Sequence, residues 1–110
     1  MDAKLKVDAG ICGFKSIITA TSEDSMNVDL KVVSPCEIIK DLATQYKNLC
    51  PVNAYQELSP QAESAILKLS RAVLVQKGAC EACVVPQAVC KAMYIAAGLA
   101  LPKEVKLEIK

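Results

Sequence analysis

The chain has 110 residues, the length of one ordinary domain, and its 13 basic and 12 acidic residues give a net charge of +1. The charges are interspersed, which excludes a basic patch for nucleic acid, and no apolar run reaches the ~20 residues of a membrane span. The sequence contains no histidine, which excludes histidine general bases, Cys–His dyads and mixed Cys/His zinc sites. The N-terminus lacks a signal-peptide core, so we expect one cytoplasmic domain over residues 1–110. The hydrophobic fraction of 53% is high for so short a chain and suggests a homodimer face.

The first third of the sequence predicts three antiparallel strands connected as a meander. Apolar and polar residues alternate over residues 4–11, which is typical of a half-buried strand. The glycines within residues 10–13 indicate a hairpin turn or a bulge, and β-branched residues then predict a second strand over residues 14–22. After a polar turn, alternation returns in a third strand over residues 28–32.

Helices are predicted in the middle of the chain. Ser34-Pro35-Cys36-Glu37 fits a capping box with proline at the first helical position, and this helix should end near Asn48. Residues 49–58 read as a connector. Ser59-Pro60 repeats the start signal for a second helix, which should stop near Gly78.

A third helix and a last strand complete the predicted fold. The helix runs from Pro86 to about Ala97 with Gly98 as its C-cap, and it is apolar on nearly every side, which predicts a central position. Pro102 then breaks the chain, and alternation over residues 103–110 predicts a strand. The order is β-β-β-α-α-α-β: an α+β fold with a three-stranded antiparallel meander, a C-terminal strand and helices packed on one face.

Clustered cysteines are the strongest functional signal in the sequence. Cys80, Cys83 and Cys90 follow the spacing C-x2-C-x6-C. Two thiols spaced C-x2-C can bind one metal ion together, or they can form a redox disulfide. Cys36 falls at the second predicted helical position, where unpaired amides and the helix dipole favour its thiolate. Nothing local activates Cys50, which reads as a packing residue.

The predicted topology brings these thiols together. In a meander, the first hairpin and the end of the third strand share one end of the sheet, so Cys12 should lie near Cys36. A parallel right-handed crossover to the fourth strand would bring the C-x2-C pair to the same end. We therefore expect a metal site with Cys36, Cys80 and Cys83 as ligands and Cys12 or Cys90 as the fourth. Thiolates without histidine suit zinc or an iron–sulfur cluster.

Three stretches carry a resemblance to a known group of proteins. Val85-Pro86-Gln87-Ala88, the run from Ala96 to Lys103 and the Ser34-Pro35-Cys36 helix start are similar to a family of small uncharacterised proteins of methanogens and other anaerobes. The resemblance implies an anaerobic host and assigns no activity to any residue. The predicted architecture also resembles that of iron–sulfur assembly scaffolds, although the cysteine spacings differ.

Two other functions fit the same residues. In a thiol redox or sulfur-carrier protein, Cys36 or Cys83 would be the attacking thiolate and a C-x2-C partner would resolve the product. Such a protein would have a reactive thiol and no metal. In a structural or interaction module, the cysteines would only fill the core, as buried cysteines often do.

Overall fold

The sheet is the predicted antiparallel meander, extended by one short strand. The computed structural model describes residues 2–8, 14–58, 64–77, 83–106 and 108. The strands are β1 (Asp2–Asp8), β2 (Lys15–Thr21), β3 (Asn27–Val33) and β4 (Val52–Asn53). They lie side by side in the order β1-β2-β3-β4, with all neighbours antiparallel. The turn predicted at residues 10–13 lies outside the described residues.

Alternation places the apolar positions of the first three strands on one face of the sheet. Leu5 lies opposite Ile18, and Ile18 lies opposite Val32. Ile18 and Val32 are buried, whereas the intervening charged residues of β1 and β3 are exposed. Successive side chains of a strand point to opposite faces, so this register gives the sheet one core face and one solvent face.

The helices cover the core face and confirm the α+β class. In the described part of the chain they are α1 (Glu37–Leu49), α2 (Ala54–Leu58), α3 (Ala65–Lys77) and α4 (Val85–Ala96). α1 lies on β3, α4 lies on β1 and β2, and α3 packs against α1 and α4. The predicted connector over residues 49–58 was wrong, because it contains β4 and α2. Elements of two and five residues are too short to show a periodic pattern.

The start of α1 differs from the predicted capping box. The helix begins at Glu37, and Cys36 is its N-cap residue, with extended backbone at φ −74° and ψ 123° and no capping hydrogen bond from its side chain. The Ser34 hydroxyl accepts from the Cys36 amide (3.2 Å) instead of reaching the first turn. The Glu37 carboxylate pairs with Lys40 (3.3 Å). The predicted positions of Pro35 and Cys36 within the helix were therefore wrong, and the thiol stands just before the helix.

The centre of the molecule is α4, as the sequence predicts. Its buried residues include Val89, Ala92, Met93 and Ala96, and the small alanines let the helix lie close to the sheet. The helix ends in a Schellman motif, in which Gly98 has φ 78° and its amide donates to the Ile95 carbonyl (3.0 Å). The expected terminating glycine is confirmed.

The turn between β2 and β3 is held by one carboxylate. Asp24 accepts from the Asn27 amide (2.8 Å), the Asn27 side chain (2.9 Å) and the Met26 amide (3.0 Å). These hydrogen bonds, led by those of Asn27, lower the pKa of Asp24 to about 2. The adjacent Ser25 has φ 58°, the left-handed conformation that tight turns require.

The predicted C-terminal strand was wrong for the residues that the structure describes. Residues 101–106 and 108 form no strand and are all exposed. The fourth strand of the sheet is β4, which pairs with the start of β3. Alternation gives a segment two faces, but a strand also needs hydrogen bonds to a neighbouring strand, and these residues pair with no strand in the described part of the chain. The described residues therefore do not form the predicted crossover to a C-terminal strand.

Candidate functional site

The end of β3 lies at the same end of the sheet as the end of β1 and the start of β2. Asp8 pairs with Lys15, and two residues further along β2, Ile17 pairs with Val33. We call this end, which holds Asp8, Lys15 and Val33, the Val33 end. Cys36 follows Val33 by three residues, so α1 starts from the Val33 end and runs away from it.

Side-chain contacts show that α3 returns toward the Val33 end. The Tyr46 hydroxyl, late in α1, hydrogen-bonds the Ser70 hydroxyl in the middle of α3. The Lys77 ammonium at the end of α3 lies 3.9 Å from the carboxylate of Asp41, early in α1. The two helices are therefore antiparallel, and α3 ends beside the start of α1.

α4 runs antiparallel to α3. The Tyr94 hydroxyl, near the end of α4, donates to the Glu57 carbonyl (3.2 Å). The Glu57 carboxylate accepts from the Ala65 amide at the start of α3 (3.0 Å). The end of α4 thus lies by the start of α3, and the start of α4 lies by the end of α3. Cys83, two residues before α4, is therefore at the Val33 end.

The structure thus brings Cys36 and Cys83 to one end of the molecule, although the route differs from the predicted crossover. Both thiols are half-buried and pack against the edge of the core. Cys12 and Cys80 lie outside the described residues. Within residues 2–8, 14–58, 64–77, 83–106 and 108, no three Cys, Asp or Glu side chains are grouped so as to hold a metal ion.

Cys90 differs from these two thiols. It is 5% exposed on α4, and burial, followed by the nearby Glu57 carboxylate, raises its pKa to about 11. It stands seven residues after Cys83, about 10 Å along a helix axis. A buried thiol with a raised pKa is a poor source of the thiolate that a metal needs.

A buried polar pair lies between α1 and α3, and sequence analysis did not identify it. Tyr46 is fully buried, and the hydroxyl of Ser70 bonds both Tyr46 and the Ile66 carbonyl (2.6 Å). Burial is the main cause that raises the pKa of Tyr46 to about 12, and the nearby Cys90 and Cys83 add to it. This pair fixes α3 on α1.

Cys50 lies at the other end of α1 from Cys36. Its thiol donates to the Tyr46 carbonyl (3.2 Å) and accepts from the Leu30 amide (3.3 Å), and burial raises its pKa. These bonds join the end of α1 to the middle of β3. The thiol therefore has a structural partner on each side, which fits the packing role expected from the sequence.

The contrast among the thiols predicts a reactivity order. In metal-free protein at pH 8, we expect Cys90 to be alkylated by iodoacetamide at least tenfold more slowly than Cys36 and Cys83. A pKa of about 11 leaves about one Cys90 thiolate in a thousand, and burial blocks the reagent. Mass spectrometry of peptides from timed reactions measures the rates, and denatured protein, in which all thiols are equally open, is the control. Equal rates in the folded protein would contradict the prediction.

Comparison with known proteins identifies the group to which the chain is related. Residues 3–109 match a family described as "Family of unknown function (DUF6951)". The chain belongs to this family. Searches of curated proteins and of solved structures found no match. In the described part of this DUF6951 member, no helix is long and apolar enough to cross a bilayer.

Proposed function

We propose that this protein binds a metal centre, zinc or an iron–sulfur cluster, through cysteine thiolates at the Val33 end. Cys36 and Cys83 would be two ligands, contributed by the starts of α1 and α4. Cys80, which completes the C-x2-C spacing, and Cys12 would be the others. A set of four thiolates without histidine suits either kind of centre. The anaerobic host implied by the sequence resemblance would suit an oxygen-sensitive cluster.

The main support for the proposal is that Cys36 and Cys83 lie at the same end of the molecule. They are 47 residues apart in sequence, yet both stand at helix starts at the same end of the molecule. The described residues on either side of the other two cysteines also end there, since Asp8 precedes residues 9–13, Lys15 follows them closely, and Lys77 precedes residues 78–82. The four ligands would come from three separate segments of the chain, with Cys80 and Cys83 as a C-x2-C pair of the kind that thiolate metal centres use.

Burial and a raised pKa disfavour Cys90 as the fourth ligand, which leaves Cys12. Metal binding requires a thiolate, and the raised pKa of Cys90 opposes its formation. Cys90 also lies about two helical turns beyond Cys83, whereas thiolates on one ion lie within ~4 Å of each other, given metal–sulfur distances near 2.3 Å.

Elemental analysis of protein purified without oxygen tests the proposal. We expect about one zinc per chain, or several irons with matching sulfide. Cys36→Ser and Cys83→Ser should each reduce the metal content at least severalfold, because each removes one thiolate. Cys90→Ala should retain the metal.

Cys50→Ser is the matched control. A hydroxyl at this position can keep the bonds to Leu30 and Tyr46, and Cys50 lies far from the Val33 end. It should therefore keep the full metal content. A metal-free protein with an intact fold would overturn the proposal, and a single fast-reacting thiol in that protein would instead favour the sulfur-carrier function. Equal loss of metal in all four variants would show unfolding rather than loss of a ligand.

A further inference from the structure

The solvent face of the sheet has no covering layer in the described part of the chain. Its residues on β1 and β3 are exposed, whereas the alternate residues of β3 on the core face are buried. We call this surface the open face, and it consists of Asp2, Lys4, Lys6, Ile17, Thr19, Thr21, Asp29, Lys31 and Val33. Because antiparallel sheets commonly leave one face in water, only the chemistry of this face can indicate a partner.

The strand register sorts charges of the open face into two rows that run across the strands. The rows are Lys4, Thr19 and Lys31 and, further from the Val33 end, Asp2, Thr21 and Asp29. Each row has a threonine on β2 between two like charges on β1 and β3. No ion pair within the described residues involves any of these four charged side chains. A basic row and an acidic row therefore lie side by side on an exposed surface.

The two rows distinguish between the two ways in which copies can stack face to face about a twofold axis. An axis along the strands lays β1 of one copy on β3 of the other and keeps the rows in step. Lys4 would then face Lys31 of the second copy, so that like charges meet. An axis across the strands, midway between the rows, exchanges the rows and lays each strand on its own counterpart. Lys4 then faces Asp2 of the second copy, and the lysine on β3 likewise faces Asp29.

We propose that the open face binds the open face of a second copy, with the twofold axis across the strands. A twofold interface must be self-complementary, and this one would contain four lysine–aspartate pairs. Facing sheets pack about 10 Å apart, a gap that an extended lysine side chain opposite a short aspartate can span. Packed sheets are also rotated by about 30°, and all four pairs lie close to the axis, where this rotation displaces them least.

The surroundings of the two rows fit the same arrangement. Beside the basic row, Ile17 lies opposite Val33, which is 54% exposed, and a second copy would remove part of this apolar surface from water. Beside the acidic row, Asp2 and Asp29 line a pocket of about 590 Å³. The pocket gives the lysine side chains of the second copy room to reach these carboxylates. The acidic row is thus concave, as a surface that receives long basic side chains must be.

A charge exchange between copies tests this arrangement. Lys31→Glu and Asp29→Lys change exposed positions of β3, and each alone places two like-charge pairs between the copies. We expect each variant to dimerise roughly ten-fold more weakly than the unsubstituted protein, because two attractive pairs become repulsive. In an equal mixture, the new carboxylate at position 31 of one variant faces the new ammonium at position 29 of the other, and the second site keeps an unaltered pair. The mixture should therefore form heterodimers in preference to either homodimer.

Sedimentation velocity over a concentration series measures the dimerisation, and native mass spectrometry with one variant isotope-labelled measures the heterodimer fraction. Lys68→Glu is the matched control, because it makes the same charge change at an exposed position of α3, and it should dimerise as the unsubstituted protein does. Circular dichroism checks that each variant is folded.

Several results would contradict the proposal. A monomeric unsubstituted protein, or a mixture without preferential heterodimers, would overturn it. Stronger dimerisation of Lys31→Glu would show that position 31 faces Lys4 about an axis along the strands, which is the arrangement rejected above. Equal weakening by Lys68→Glu would show that net charge, rather than the open face, controls association.

Discussion

Removing the proposed metal from anaerobically purified protein with a strong chelator is expected to lower its melting temperature by on the order of 10 °C. A ligand that binds only the folded state at a thousand times its dissociation constant stabilises that state by about 4 kcal/mol. In the proposed site the metal would link the start of α1 directly to the start of α4, two helices that both pack against α3. Calorimetry with and without the chelator measures the shift.

Variants separate this effect from general destabilisation. Cys83→Ser protein should melt at the same temperature with and without chelator, because it has no metal to lose. Cys50→Ser should lose as much stability on chelation as the unsubstituted protein. The stabilisation by metal should also fall as the pH falls, since protons compete for the thiolates. A chelator that strips the metal and leaves the melting temperature unchanged would contradict a site that links α1 to α4.

The main elements could be predicted because each has a pattern that burial enforces. The alternation of β1, β2 and β3 predicts a single core face, and Leu5, Ile18 and Val32 meet on it. The apolar stripe of α1 contains Ile39, Leu42 and Tyr46, and all three are buried. These patterns depend on the position of each residue within its own element, and a local sequence contains that information.

The errors occur where tertiary contacts, rather than the local sequence, determine the structure of a segment. The capping box at Ser34 depended on the backbone at Cys36, and a shift of two residues moved the helix start past it. Alternation in the C-terminal segment predicts a strand but does not identify the strand with which it would pair, and residues 101–106 pair with no strand among the described residues. The position of Cys36 at the Val33 end followed from meander geometry alone, whereas the position of Cys83 depended on helix directions set by contacts such as that of Tyr46 with Ser70.

Truncating Glu57 is expected to destabilise the fold by roughly 2–5 kcal/mol, although the sequence gives no sign that this residue is special. Glu57 is 6% exposed, and its carboxylate accepts from the amides of Ala65 (3.0 Å) and Ile66 (3.1 Å) in the first turn of α3. These amides have no partner within the helix. Glu57→Ala would leave the buried Ile66 amide unsatisfied, at about 1–3 kcal/mol, and would remove a charge-assisted hydrogen bond to the amide of the exposed Ala65, at about 1.5 kcal/mol. Denaturant unfolding measures the loss.

Two further variants test this cause. Glu57→Gln keeps one oxygen to accept from the helix but loses the charge, so it should fall between Glu57→Ala and the unsubstituted protein. Glu37→Ala removes the corresponding first-turn carboxylate of α1. The Glu37 side chain is 87% exposed, and its carboxylate pairs with Lys40. An exposed acidic residue at a helix start contributes at most about 1 kcal/mol. If both alanine variants lost the same stability, the buried carboxylate would have no special role; a larger loss at Glu57 alone would show that the start of α3 depends on a residue of the neighbouring helix.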